Sequence, residues 1–208
     1  MDPQPVAVLL FGGRRAPWGL GALPVIDPKA VHDPACPDFP IGPIGYRRII
    51  VVGTHADLAA VLTRLLRTER LDIEVAHVTR RWQGRCARIG AATRVPLIRD
   101  ETGSVVTRVA YWLPQEGSPT IRGEAVVDDT VLFNGAVTGV RIEPTAAVPG
   151  LRASTRSGRM RPRRWVTGRA AQLGTTGALV IRDGNPAPRP IRRSTFYRHT
   201  EGWLRVGL

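Results

Sequence analysis

The segment from Arg47 to Val78, RRIIVVGTHADLAAVLTRLLRTERLDIEVAHV, leaves a folding chain few options. Ile49 to Val52 is an uninterrupted β-branched run, the pattern of a strand buried on both faces. Gly53-Thr54-His55-Ala56-Asp57 follows, and Thr54 and Asp57 have capping-box spacing, the hydroxyl facing the Asp57 amide and the carboxylate reaching back. Leu58, Val61, Leu62, Leu65 and Leu66 then recur at i, i+3, i+4, i+7 and i+8, one apolar helical stripe. Ile73 to Val78 reads as the next strand. Two strands joined by a helix of this length pair in parallel, so the segment is a β-turn-α-β unit. Its turn sets backbone N–H groups at a helix start, where phosphates are commonly held.

The 208 residues suffice for one large or two small domains. No apolar run is long enough to span a bilayer, and Val6 to Phe11 is too short and lacks the preceding basic residue of a signal peptide. The expected location is cytoplasmic, with peripheral membrane contact as a second option. Cys36 and Cys86 are far apart in sequence and read as reduced thiols. The net charge of +13 favours anionic partners. Lys29 is the only lysine among 30 basic residues, and such an arginine excess also follows from coding bias, so the charge permits an anionic partner without requiring one.

Around the central unit, Val6 to Phe11 reads as a first buried strand ended by Gly12-Gly13-Arg14-Arg15. That turn either lets backbone and arginines approach a phosphate or is a flexible solvated loop. Pro17 to Pro43, rich in proline and glycine, is expected as a surface loop anchored by Trp18 and Phe39. Arg80 to Gly90 reads as a short basic helix broken near Gly84. From Val95 the pattern becomes β-rich: a hairpin from VPLIRD to SVVTRVAYWL turning at Glu101 to Gly103, then strands at Ile121 to Val127, Thr130 to Asn134, Val137 to Glu143, Ala178 to Arg182 and Arg193 to His199. Turn signals fall at Glu116-Gly117, Asn134-Gly135, Pro149-Gly150 and Asp183-Gly184, and Trp203 to Val206 is expected as a last edge strand. The expected fold class is α/β: an α/β domain over residues 1–92 and a β-rich, sandwich-like domain over 93–208.

Motifs for common chemistries are missing. There is no HExxH, CxxC, GxSxG or GxxxxGK[ST], the four histidines are scattered, and no metal site is expected. The residues that remain each have two readings. His55 is a phosphate contact or titrating switch, or a solvent-facing turn residue. Asp57 is a helix cap or a site residue. Asp183 is an active-site carboxylate or half of an Asp-Gly hairpin turn. Asp128-Asp129 is a metal-binding step or a solvated turn. Arg159, Arg161, Arg163, Arg164, Trp165 and Arg169 are an anion-binding surface with a stacking aromatic, extended by Arg189, Arg192, Arg193 and Arg198 with Phe196 and Tyr197 interleaved, or a solvated arginine face with Trp165 in the core.

The order of parts resembles the diacylglycerol/sphingosine lipid kinases and the related NAD kinases. Their GGDGT-L turn is represented by Gly53-Thr54-His55-Ala56-Asp57-Leu58, where the first glycine and the leucine match. Their PxGTxNDFAR motif falls on Thr79 to Arg88, where Ala87-Arg88 match, followed by a family-like Ile89-Gly90. Their DGE falls on Asp183-Gly184-Asn185, within the most family-like stretch, VTGRAAQLGTTGALVIRDG. The resemblance spans residues 45 to 208. It implies a ligand cleft between the halves, with Gly53, Thr54, His55, Asp57 and Asp183 on a nucleotide or phosphate and ATP with Mg²⁺ as cofactor if kinase activity persists.

The departures from the family bear on mechanism. Phosphoryl transfer depends on carboxylate-held metal and positioned phosphates. His55 in place of the family's aspartate removes a hard oxygen ligand, and Asn185 in place of its glutamate cannot be a general base. The expectation is a catalytically impaired, lipid-kinase-like pseudoenzyme that still binds a nucleotide or phospholipid headgroup. The alternative is a basic protein that uses its arginine-rich loop on nucleic acid or an acidic membrane.

Overall fold

The computed structural model describes residues 5–31, 45–156 and 164–207. Two compact units divide the chain, residues 1–95 with 201–208, and residues 96–200.

Among the described residues, the first unit is built on a six-stranded sheet ordered β2-β1-β3-β4-β17-β5. Its strands are β1 (Val6–Leu10), β2 (Val25–Ile26), β3 (Arg48–Val52), β4 (Glu74–Val78), β5 (Ala92–Val95) and β17 (Trp203–Val206). All neighbours are parallel except β5, which runs antiparallel to β17. Helix α1 (His55–Arg67) connects β3 to β4, so the expected β-turn-α-β unit is present. Every β3 residue is buried, and α1 buries Leu58, Val61, Leu62 and Leu65 along its stripe. Removing those four aliphatic side chains from water contributes on the order of 6–12 kcal/mol, an upper bound because the unfolded chain already hides some surface. On one face of the sheet, Val8, Ile50, Val52, Ala76 and Val78 pack with Leu20, Val206 and Ala87 of α2 (Gly84–Ile89). The alternate positions Ala7, Leu9, Ile49, Val51 and Val75 are fully buried on the opposite face.

The expected short helix is present but is not broken at Gly84: the 3-10 turn Arg81–Gln83 runs directly into α2, and Gly84 keeps right-handed helical angles (φ −56°, ψ −42°). A buried guanidinium holds α2 in place. Arg48, 5% exposed, donates to the carbonyls of Ala87, Arg88 and Gly90 at 2.7–3.1 Å and pairs with Glu74 at 2.5 Å. Cations at a helix C-terminus satisfy carbonyls that have no partner within the helix.

Two expectations for this unit are corrected. Trp203 to Val206 is not an edge strand: β17 lies inside the sheet, between β4 and β5. Nor does Trp18 anchor the proline-rich segment, since it is 89% exposed. The described part of that segment adds β2 beside β1 and a 3-10 turn at Pro28–Val31, while Phe39 lies outside the described residues.

Among the described residues, the second unit is one eleven-stranded sheet. Its strands are β6 (Ile98–Asp100), β7 (Val105–Val106), β8 (Ala110–Leu113), β9 (Ile121–Val127), β10 (Thr130–Val137), β11 (Val140–Pro144), β12 (Leu151–Thr155), β13 (Val166–Gly168), β14 (Ala170–Arg182), β15 (Asn185–Pro186) and β16 (Ile191–Arg198). The 13-residue β14 pairs with β9 and β16 along its first part and with β8 along its last. Ala170 to Gly174 pair with β16, Ala171 to Thr175 with β9, and Leu179 to Arg182 with β8, across a register shift between Gly174 and Ala178. Such shifts bend a strand and let one sheet fold over on itself. The inner faces meet at Trp112 and Phe196, whose ring centroids are 5.8 Å apart, inside a cluster that includes Ile98, Ile121, Ile142, Leu151 and Val180. This is the sandwich-like, mixed α/β architecture that the sequence predicts.

Local corrections follow from turn chemistry. Asn134-Gly135 is no turn but lies within β10, opposite Glu124 and Gly123. The break comes instead at Gly139 (φ +146°), where a Cβ would lie 3.0 Å from the Trp112 carbonyl. The hairpin's second arm stops at Val106, and β8 pairs with β11 and β14 rather than with β6. Strands β12 and β13 and the first half of β14 were not expected. Phe196, expected among surface arginines, is fully buried.

Candidate functional site

Parallel register fixes where the loops of the first unit emerge. Leu10, Val52 and Val78 align across β1, β3 and β4, so the segments after them leave from one edge. β1 leads back to β2 on one side, and β3 leads through α1 to β4 on the other. Adjacent strands whose connections diverge in this way leave a crevice at their carboxyl ends, the usual ligand position in open α/β sheets.

Two glycine turns follow the carboxyl ends of β1 and β3. Gly12 (φ +62°) and Gly13 (φ +68°) form a tight turn closed by the Arg14 amide donating to the Phe11 carbonyl at 3.3 Å, and Arg14 and Arg15 follow, exposed. At the second turn, a Cβ on Gly53 would lie 2.7 Å from Asp57 Oδ2. Only glycine permits that approach. The predicted capping box is complete: the Asp57 amide donates to Thr54 Oγ1 at 3.2 Å, and Asp57 Oδ2 accepts from the Thr54 amide and hydroxyl, each at 2.7 Å. Asp57 is thus a cap, and its carboxylate occupies the favourable position for negative charge at the start of α1.

His55 has a neighbour that sequence reading missed. Its ring lies 4.8 Å, edge to face, from that of His77 on β4. His77 Nε2 is 3.2 Å from the Gly53 carbonyl. A carbonyl only accepts, so this nitrogen carries the proton of the neutral ring. Burial, and then repulsion from His55, holds the His77 pKa below its ordinary value. The only available signal was register: His77 sits opposite Val51, two residues before the glycine turn.

Asp183 belongs to the second unit. With φ +47° it starts the two-residue turn between β14 and β15, where Arg182 pairs with Asn185. Its carboxylate accepts from the Thr107 amide at 2.7 Å, the Thr107 hydroxyl at 3.0 Å, and the Arg108 and Val109 amides at 2.9 Å each. Those bonds hold the chain where β7 ends and β8 begins. Asp128, also with positive φ, accepts the Arg169 and Ala170 amides at 2.9–3.0 Å. Asp100, fully buried, accepts from Thr102 and Ser104 and pairs with Arg182. Asp183 is therefore a backbone anchor in a hairpin turn, and Asp128, in the turn between β9 and β10, ties that turn to the junction of β13 and β14 in the same way.

Of the arginine-rich surface, Arg159, Arg161 and Arg163 lie outside the described residues. Arg164 and Arg169 are exposed. Trp165 is half-buried, with the Arg152 guanidinium 4.3 Å from its ring centre, so one face of the indole is already covered. Arg152 is held in turn by Glu143 at 2.6 Å.

No protein-family model matches the sequence, and no curated protein matches it. Solved structures do. A diacylglycerol kinase from Bacillus anthracis str. Sterne aligns with a TM-score of 0.71 at 10% identity, covering 100% of this chain and 98% of that one. An NAD kinase from Archaeoglobus fulgidus, solved in complex with ATP, aligns at 0.61 and 11% identity, covering 98% and 94%. Yeast NADH kinase complexed with NADH aligns at 0.57 and 8% identity, covering 100% and 84%. The chain has the diacylglycerol kinase and NAD kinase fold.

Kinases of this fold are expected to need a metal-bound nucleotide, and the carboxylates here do not fit a hard cation. Mg²⁺ takes hard oxygen ligands in near-octahedral geometry, which an isolated carboxylate does not supply. Thr54 engages Asp57 Oδ2, and four donors engage the two oxygens of Asp183. Among the described residues no three His, Cys, Asp or Glu side chains converge on a metal position.

Proposed function

We propose that this protein with a diacylglycerol and NAD kinase fold binds a phosphate-bearing ligand, a nucleotide or a phospholipid headgroup, and does not transfer its phosphoryl group. The ligand's phosphate sits at the carboxyl edge of β1 and β3, between Gly12-Gly13-Arg14-Arg15 and Gly53-Thr54-His55. Arg14 and Arg15 neutralise it, the glycine turns admit it, and Asp57 rigidifies the start of α1 without touching it. The His55–His77 pair borders this position, and its ring nitrogens can donate or accept hydrogen bonds there.

One observation supports loss of the reaction above the others: of the two carboxylates that stand at or near the family's acidic positions, Asp183 has both oxygens and Asp57 has Oδ2 on hydrogen bonds within the chain. His55 and Asn185 occupy the remaining positions; an imidazole is a poor magnesium ligand and an amide cannot act as a general base.

Calorimetric titration with ATP, ADP, NAD and glycerol phosphate tests the reading, with unfolding midpoints measured alongside. A ligand of the native state raises the midpoint by mass action. The expected result is saturable binding by at least one ligand, independent of Mg²⁺ and weakened at least tenfold by Arg14→Ala with Arg15→Ala. Absence of binding by all four, or binding indifferent to those substitutions, overturns it.

A further inference from the structure

Trp18 and Trp82 are 89% and 65% exposed, and Ile89 is 66% exposed. Together with Arg85 and Arg88, these side chains border a single hollow on the first unit. The two contributing segments are tightly joined: a Cβ at Gly84 would overlap the Trp18 carbonyl, and one at Gly19 would lie 3.9 Å from the Arg85 amide nitrogen. From within the unit, the Arg48 guanidinium ties down the end of α2. The exposed residues therefore stand on a fixed platform.

The charge of the platform has one sign. Residues 12–23 and 79–95 contain no Asp or Glu, and Arg80, Arg81, Arg85 and Arg88 are all exposed. None of the four joins an ion pair among the described residues. Arg80 lies 6.0 Å from the Trp82 ring centre. Indoles with an apolar body and a polar N–H partition to the boundary between headgroups and acyl chains, and guanidinium groups match lipid phosphates. A nucleic acid strand would use the rings and arginines but leave Ile89 in water, and a protein partner would have to bring carboxylates.

We propose that this face docks on an anionic phospholipid bilayer. Trp18, Trp82 and Ile89 enter the interface, and Arg80, Arg85 and Arg88 pair with phosphates. This inference is independent of what the carboxyl edge of the sheet binds.

The test is co-sedimentation of the full chain with vesicles of phosphatidylcholine alone and with added phosphatidylglycerol. The expected result is binding to the anionic vesicles that weakens with salt. Surface arginines contribute roughly fivefold each, so Arg80→Ala, Arg85→Ala and Arg88→Ala together cost on the order of a hundredfold in partitioning. Brominated acyl chains should quench wild-type tryptophan fluorescence but spare the variant with Trp18→Phe and Trp82→Phe, in which Trp112, Trp165 and Trp203 remain. If the Trp82 change disturbs the unfolding midpoint, Trp18→Ala alone, at the more exposed position, should still lower binding. No binding to anionic vesicles, binding unchanged in these variants, or loss of single-stranded DNA affinity without loss of vesicle affinity would each overturn the proposal.

Discussion

Replacing Asp183 with alanine separates an anchoring carboxylate from a ligand-binding one. In the folded protein the side chain accepts three backbone amides and one hydroxyl, from Thr107 to Val109. Two of those amides are part-buried, and a buried donor left without a partner costs about 1–3 kcal/mol, while the exposed Arg108 amide recovers water at little cost. Alanine also tolerates the residue's φ of +47° less well than aspartate. The expected loss is about 2–4 kcal/mol of unfolding free energy, or a fall of roughly 4–16 °C in melting midpoint for a chain of this size. Asp183→Asn keeps one acceptor oxygen and tolerates left-handed backbone, so it should lose about half as much. Urea unfolding followed by circular dichroism and tryptophan fluorescence measures both, and Trp112, opposite Val180 on the neighbouring strand, reports on the affected unit. An alanine variant with stability within about 0.5 kcal/mol of wild type would refute the anchoring role. Such a variant that also lost ATP-dependent stabilisation would mark Asp183 as a ligand group.

Other substitutions probe the first unit. Gly53→Val should push Asp57 out of its cap, lowering stability by about 1–2 kcal/mol in thermal unfolding. Arg48→Ala removes a buried guanidinium that serves three carbonyls and Glu74, and should cost about 3–5 kcal/mol by urea titration. For His77 the folded pKa lies below the ordinary 6.5, so the native state binds fewer protons than the unfolded one. Its contribution is complete above that value and is lost as pH falls from 6.5 toward the folded pKa. His77→Gln should flatten the stability profile over this acidic window, and an unchanged slope would count against the assignment.

The parts legible in the sequence were those fixed by neighbours in the chain. The capping box and the α1 stripe each depend on residues within a few positions, where periodicity and cap chemistry act. What escaped depended on distant partners. Nothing in WLRV distinguishes an edge strand from the position β17 takes between β4 and β5. Gly174 and Gly177 made half of β14 look like loop, although there they serve a register shift and a close approach to Gln115. In the candidate site, Gly53, Thr54 and Asp57 were readable because the cap is local. His77 was not, because it meets His55 only through strand register. Asp183 was legible as a turn, but the amides it holds lie some 75 positions earlier in the chain.

The central claim is that a kinase fold has kept its hydrophobic framework while its remaining carboxylates bind backbone instead of metal. The most direct measurement is transfer of labelled γ-phosphate from ATP to diacylglycerol in mixed vesicles and to NAD, with and without Mg²⁺. The account predicts no transfer above the protein-free rate in either arm. Magnesium-dependent turnover that disappears in Asp57→Ala or Asp183→Asn would contradict it.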